Sequence, residues 1–146
     1  MINILFTASR ELDTEHYPLV SRAISVAIDR MTSENPDDKE ITLIEGGQRG
    51  KPGSPRGGDA LANEFGNVIQ RSMEDRGYDF HVHTEKAKWH LYGRAAGPIR
   101  NGVMVKMAKQ PSICVAVFFN ETNSKGTKDC VRQAQAAGIE VLKFYA

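Results

Sequence analysis

Cysteine is scarce in this sequence. Cys114 and Cys130 are the only two, one inside an apolar stretch and one inside a helical pattern, so a disulfide framework is excluded and both read as reduced packing residues. Net charge is almost absent: 19 Lys and Arg stand against 18 Asp and Glu, leaving +1. That excludes a protein that coats nucleic acid through general electrostatics, and any anion site must be local. Long hydrophobic runs are missing as well. The longest, Ile113 to Phe119, falls far below the roughly 20 residues that span a bilayer. The N-terminus has neither a basic n-region nor a cleavable h-region, so a cytoplasmic protein without a membrane partner is expected. No G-x-G-x-x-G follows the first apolar run, no Walker lysine is present, and there is no G-x-S-x-G elbow. An ordinary dinucleotide fold, a P-loop enzyme and an α/β-hydrolase are therefore not indicated.

What is present suffices for one domain: 146 residues, 40% hydrophobic and 25% charged, with no repeat, linker or composition shift. Ile2 to Phe6 reads as a buried strand with an exit loop at Thr7-Ala8-Ser9-Arg10. From about Glu15 to Met31 the apolar positions keep a helical period, and Asn35-Pro36 ends that helix. Ile41 to Ile44 is a second strand, running into Glu45-Gly46-Gly47. Asp59 is expected to cap a helix whose buried face holds Ala60, Leu61, Ala62, Phe65, Val68 and Ile69, and Arg76-Gly77 ends it. Tyr78 to His83 alternates as a strand near an edge. Its two histidines share a face, but no third ligand lies at a recognisable spacing, so no metal is expected. Glu85 to Tyr92 is irregular and carries Trp89, a packing residue or a base-stacking platform. Ser112 to Phe119 is a strand buried on both faces. Gly126-Thr127 opens a last helix with Val131, Ala134 and Ala137 inside, Gly138 caps it, and Ile139 to Tyr145 closes the chain. Strands alternating with helices predict an α/β domain: a five-stranded, mostly parallel sheet with helices on both faces.

Two stretches carry unusual chemistry. In Gly93 to Met104, GRAAGPIRNGVM, Gly97 reads as a helix cap and Pro98 as the first helical residue, with Ile99, Val103, Met104 and Met107 facing a core. Arg100 and Asn101 then fall in the first turn, where free amides already form a positive pole and a cation is unfavourable unless an anion binds there. Gln48 to Gly58, QRGKPGSPRGG, has charges of one sign only, Arg49, Lys51 and Arg56. It is either a solvated loop or a basic flap over an anionic ligand. In parallel sheets ligands bind beyond the carboxyl ends of the strands, and the loops at that edge include Thr7 to Arg10, Gly46 to Gly58, Gly97 to Asn101 and Asn120 to Thr127. Several helix N-termini would then point at one place.

Taken in order, Thr7-Ala8-Ser9-Arg10, Gly46-Gly47, Arg56-Gly57-Gly58-Asp59-Ala60-Leu61-Ala62, Trp89, Gly93, Ala96 to Asn101, Met104, Gly126-Thr127 and Gly138-Ile139 resemble the YspA/YpsA-related branch of the SLOG superfamily. The resemblance covers nearly the whole chain. It implies a single Rossmann-like domain over 1–146 that binds a nucleotide or nucleotide-derived small molecule, in a branch common in bacteria and phages, and a homo-oligomer. The same superfamily contains the Lonely-Guy phosphoribohydrolases, whose arginine resembles Arg100 and whose Gly-Thr-x-x-Glu motif resembles Gly126-Thr127-Lys128-Asp129-Cys130. Cys130 stands at the glutamate position, and a thiol cannot supply the carboxylate that an oxocarbenium-like state needs. Asp129 is adjacent, but a helical neighbour points about 100° away. Ala8 replaces the usual glycine, Gln48 to Pro55 lengthens the flap, and Ala87-Lys88 stands where Pro-Ala-Asp often precedes the tryptophan.

The resemblance and the loops together give an expected site. Ser9, Arg10, Arg100 and the Gly126 and Thr127 amides hold phosphate, and Trp89 or the Arg56 flap covers the base or sugar. Gly46, Gly47, Gly58, Asp59, Gly97 and Asn101 complete the ligand-binding set, with no cofactor and no metal. The leading expectation is a module that binds a phosphorylated, nucleotide-derived ligand. One alternative is an N-glycosidase using Arg100 with Asp129, Glu121 or Asp59 as its carboxylate, and another is an oligomeric scaffold without a ligand.

Overall fold

A computed structural model describes residues 1–50, 56–120 and 124–146. Its elements run β1 (Ile2–Ala8), α1 (Tyr17–Glu34), β2 (Glu40–Glu45), α2 (Gly57–Asp75), β3 (Asp79–Thr84), α3 (Trp89–Tyr92), α4 (Ala96–Met107), β4 (Ser112–Phe118), α5 (Lys125–Ala136) and β5 (Glu140–Tyr145), with 3-10 turns at Thr14–His16 and Gly93–Ala95. The strands form one sheet in the order β3-β2-β1-β4-β5. Every neighbouring pair is parallel, so the expected mostly parallel sheet is parallel throughout, a Rossmann-like α/β architecture.

Period-two alternation along the central strands divides the core. Ile2, Ile4 and Phe6 of β1 pack with Ile113, Val115 and Val117 of β4 against α1 and α2. Leu5 and Cys114 point the other way, against Met104 of α4 and Cys130 and Ala134 of α5. Both faces of β1 and β4 are thus covered, which is why these strands read as continuous apolar runs rather than alternating ones. Cys114 and Cys130 are free thiols in the same cluster, and their mutual hydrogen bond and burial push the Cys114 thiol pKa well up.

Several local expectations are corrected. Asp59 does not cap α2. The helix begins at Gly57 after Arg56, leaving Asp59 buried inside the first turn. Val68, expected on the buried face of α2, is exposed, because Gly66 rather than Val68 meets β3, lying against Val82. Trp89–Tyr92, expected to be irregular, forms one helical turn. Helix α4 begins at Ala96 with Ala95 as its cap, one turn of 3-10 helix having already set the chain direction. Gly97 and Pro98 consequently lie inside the first turn of α4. Its buried face is Ala96, Gly97, Asn101 and Met104, and Ile99 and Val103 turn outward with 44% and 40% exposure. A polar residue, Asn101, is buried where the hydrophobic spacing had placed no core residue. Ala137, expected inside, is exposed beyond the end of α5.

Candidate functional site

The strand order reverses between β1 and β4. Helices α1 and α2 return on one face and α4 and α5 on the other, so the carboxyl ends of β1 and β4 diverge into a crevice. A cavity of about 390 Å³ occupies it. Thr7 and Ala8 of β1 form one wall, Gly97 and Arg100 of α4 a second, and the first turn of α5 at Gly126 and Thr127 a third. The first-turn amides of a helix lack intrahelical acceptors, and at α5 the first return bond is Lys128 N–H to the Ser124 carbonyl, 2.9 Å. Among the described residues, the cavity is lined by four cations, Arg10, Arg94, Arg100 and Lys125, and by three carboxylates, Glu11, Asp59 and Asp129.

Arg100 is fixed from both ends. Its Nη1 donates to the Gly46 carbonyl at 2.5 Å and its Nε to Asn101 Oδ1 at 2.9 Å. The approach to Gly46 requires a residue without a side chain: a Cβ there would lie 2.4 Å from Nη1. Asn101, 2% exposed, passes the connection on, its Nδ2 donating to the Gly126 carbonyl at 3.2 Å and to Asp129 Oδ2 at 3.0 Å. Gln133 Nε2 donates to the same oxygen at 2.8 Å, and Arg132 bonds the other carboxylate oxygen. Asn101 therefore ties α4 to α5 while using both ends of its amide. This network also corrects one expectation: Asp129 lines the cavity, whereas Cys130 is fully buried in the core beneath it.

Asp59 is 5% exposed. Burial, and then the nearby Glu45 charge, raise its pKa from 3.8 to about 7, against the lowering effect of the Gln48 and Gly46 amides and of Arg100. The Gln48 N–H donates to Oδ2 at 3.0 Å. Glu45 itself ends β2 with 1% exposure. It accepts from Gly47 N–H at 2.5 Å and Asn63 Nδ2 at 3.2 Å, and from the Thr84 hydroxyl.

With this geometry in place, comparison with known proteins adds one relative. The Gene 61 protein of Mycobacterium phage D29 is 34% identical over 92 residues, which cover 63% of this chain and 67% of that protein. The chain belongs to the family of that phage protein. No model of a known protein family matches it, and no solved structure does.

Not every expected ligand-binding residue faces the cleft. Arg10, Asp59, Trp89, Gly97, Arg100, Asn101, Gly126, Thr127 and Asp129 line it. Ser9 does not. Its hydroxyl is buried, accepts from Phe119 N–H at 3.0 Å and bonds the Ser124 hydroxyl, which in turn donates to the Asn120 carbonyl at 2.6 Å. Ser9 thus knots β1 to the loop after β4. Gly58 serves packing. Its N–H donates to the Ser9 carbonyl at 3.2 Å, and a Cβ on it would come within 2.3 Å of the Ala8 Cβ. Arg56 turns away from the crevice to pair with Glu64. Gly46 and Gly47 open on an adjoining cavity instead. Trp89, half exposed, stands at the rim, close enough that a Cβ on Gly97 would lie 3.3 Å from its ring. Of the flap, Lys51 lies outside the described residues, as does Glu121, one of the three carboxylates considered for catalysis. His81 and His83 pair with Asp79 at 2.9 Å and Glu85 at 3.0 Å.

Residues that sequence reasoning missed include Arg94, Lys125 and Glu45. Arg94 and Lys125 sit beside glycines already singled out. Glu45 had a signal of its own, a carboxylate ending an otherwise apolar strand just before Gly46-Gly47.

Proposed function

We propose that the chain binds a small phosphorylated, nucleotide-derived ligand in the β1/β4 crevice, as a SLOG-type sensor or sequestering module. The observation that carries this reading is the cavity at the strand-order reversal, where Arg100, Arg10, Arg94 and Lys125 meet the first turn of α5. Phosphate sits against Arg100 and the Gly126 and Thr127 amides, and the Trp89 ring is available to the base. A charge-assisted hydrogen bond contributes about 1.5–3 kcal/mol, so three of them give roughly 5–9 kcal/mol before ordering costs, an affinity near micromolar or weaker. Calorimetry against nucleoside mono-, di- and cyclic phosphates tests it. Binding to the wild type that Arg100→Ala removes supports the reading, and absence of binding, or equal binding to both proteins, refutes it. Stabilisation by about 2.7 kcal/mol at a hundredfold excess over Kd would also remove the scaffold alternative.

Asp129 supports a second reading, phosphoribohydrolase-type cleavage of a nucleoside monophosphate into base and ribose phosphate. A carboxylate lines the cavity, held by Asn101 and Gln133, although the aligned position is Cys130. Chromatography for free base, with Asp129→Asn as control, separates cutting from holding.

Free buried thiols at Cys114 and Cys130 suit a cytoplasmic site for this binding, and among the described residues no helix is long and apolar enough to cross a membrane. Homo-oligomerisation finds support in the outward face of α3 and α4, where Leu91, Tyr92, Ile99 and Val103 are exposed. Sedimentation of the wild type against Val103→Asp tests that step, and unchanged monomers in both would refute it.

A further inference from the structure

The crevice has a neighbour. A second cavity, of about 240 Å³, is lined by Gly47, Arg49 and Lys86 and shares Gln48, Trp89 and Arg100 with the first. Its electrostatics differ in kind. Among the described residues, the main cleft sets four cations against three carboxylates, whereas the second cavity has Arg49, Lys86 and Arg100 and no carboxylate in its lining. Among the described residues neither Arg49 nor Lys86 has an ion-pair partner. Of the carboxylates nearby, Glu45 is buried and engaged by Gly47, Asn63 and Thr84, Asp59 is buried and accepts from the Gln48 N–H, and Glu85 bonds His83. Three like charges around one small cavity repel one another, and an anion between them reverses the sign of that energy. The volume matters too. Ligand sites run to about 300–1,000 Å³, so this cavity is too small for a whole nucleotide but right for an extension of one bound next door.

We propose that the second cavity is a phosphate subsite, and that the ligand is a nucleoside carrying two phosphate groups, one on each cavity, with Arg100 between them. The proposal rests on the nucleotide reading of the main cleft. Arg100 suits the shared position. Its Nη1 and Nε are occupied by Gly46 and Asn101, and the remaining donors of its five have no acceptor among the described residues. A nucleoside monophosphate would fill the α5 end and leave Arg49 and Lys86 uncompensated.

The test is calorimetry at low salt with the four ribonucleoside 5′-monophosphates, their 5′-diphosphates and their 3′,5′-bisphosphates. Wild type and an Arg49→Ala/Lys86→Ala double variant are compared. Both side chains are exposed, so the variant keeps its fold. Expected is a doubly phosphorylated nucleoside binding at least tenfold tighter than the monophosphate of the same base, the gain of roughly one charge-assisted contact. The double variant loses that advantage and keeps monophosphate affinity within about twofold, as expected when Arg100 and the α5 amides are untouched. Equal affinity for mono- and diphosphorylated ligands, an advantage that survives the double variant, or loss of monophosphate binding in it overturns the second subsite and leaves the main cleft standing. No binding of any of these ligands overturns both.

Discussion

Replacing Asp59 by Asn should stabilise the protein in a pH-dependent way. The carboxyl loses a proton near pH 3.8 when unfolded but only at about 7 in the fold, chiefly because it is buried and secondarily because Glu45 is near. Between those values the folded chain holds a proton that the unfolded chain has released, so stability falls as pH rises. The Asp59 contribution is most favourable below about pH 4 and reaches its floor above about pH 7. One tenfold change in proton affinity corresponds to about 1.4 kcal/mol, so the full penalty is a little over roughly 4 kcal/mol. An amide in the same place carries no charge, and its oxygen can still accept from the Gln48 N–H that now bonds Oδ2. Urea unfolding of both proteins at half-unit steps from pH 4 to 8.5 measures this. The variant-minus-wild-type difference should rise by about 1.4 kcal/mol per pH unit between pH 4 and 7 and then level off. Taking the difference cancels the histidines and the exposed carboxylates. A flat difference curve, or one rising only below pH 5, would refute the assignment of a raised pKa to buried Asp59.

Other outcomes follow from the same geometry. Ionised Asp59 faces the cleft that is proposed to hold phosphate. Affinity for a nucleoside monophosphate should therefore weaken by about tenfold from pH 6.5 to 8 in the wild type relative to Asp59→Asn, as calorimetry at each pH would show. Gly46→Ala places a Cβ 2.4 Å from Arg100 Nη1 and should cost ten- to a hundredfold in nucleotide affinity with little change in the urea midpoint, because a long side chain can move aside. Gly58→Ala instead drives a Cβ within 2.3 Å of the Ala8 Cβ, where helix and strand must part, and should cost about 1–3 kcal/mol in unfolding free energy. Asn101→Ala leaves Asp129 and the Gly126 carbonyl without a shared donor and should lower stability by about 1–3 kcal/mol, read as a thermal shift.

The fold was largely legible because its signals are backbone-deep. The unbroken run in β4, the 3.6-residue period of α1 and the glycine after α5 each reflect a local requirement that tertiary packing reinforced. The site was legible at the level of loops and less so at the level of side chains. Arg100, Asn101, Gly126 and Thr127 converge as expected, since helix starts at a parallel sheet edge must face the same way. Ser9 and Arg56 were claimed by protein partners, Phe119 and Ser124 in one case and Glu64 in the other, and such competition is invisible in a linear chain. Ile99 and Val103 face outward because α4 turns Asn101 inward instead, where the oxygen and the NH2 of its one amide serve α4 and α5. The placement of Asp129 depended on the rotation of α5, which the packing of Cys130 against Cys114 sets.

The strand order has a consequence for how the chain is made. β1 pairs on one side with β2, Ile2 opposite Ile41, and on the other with β4, Asn3 opposite Ser112. During synthesis its first neighbour emerges early, while the second appears only after about 70 further residues, several seconds later at 5–20 residues per second. Throughout that interval β1 presents an open edge of buried-type residues, the kind of edge that mispairs. The nascent chain is therefore most vulnerable before β4 leaves the ribosome. The crevice, whose walls come from both sides of that late pairing, is completed only when α5 follows.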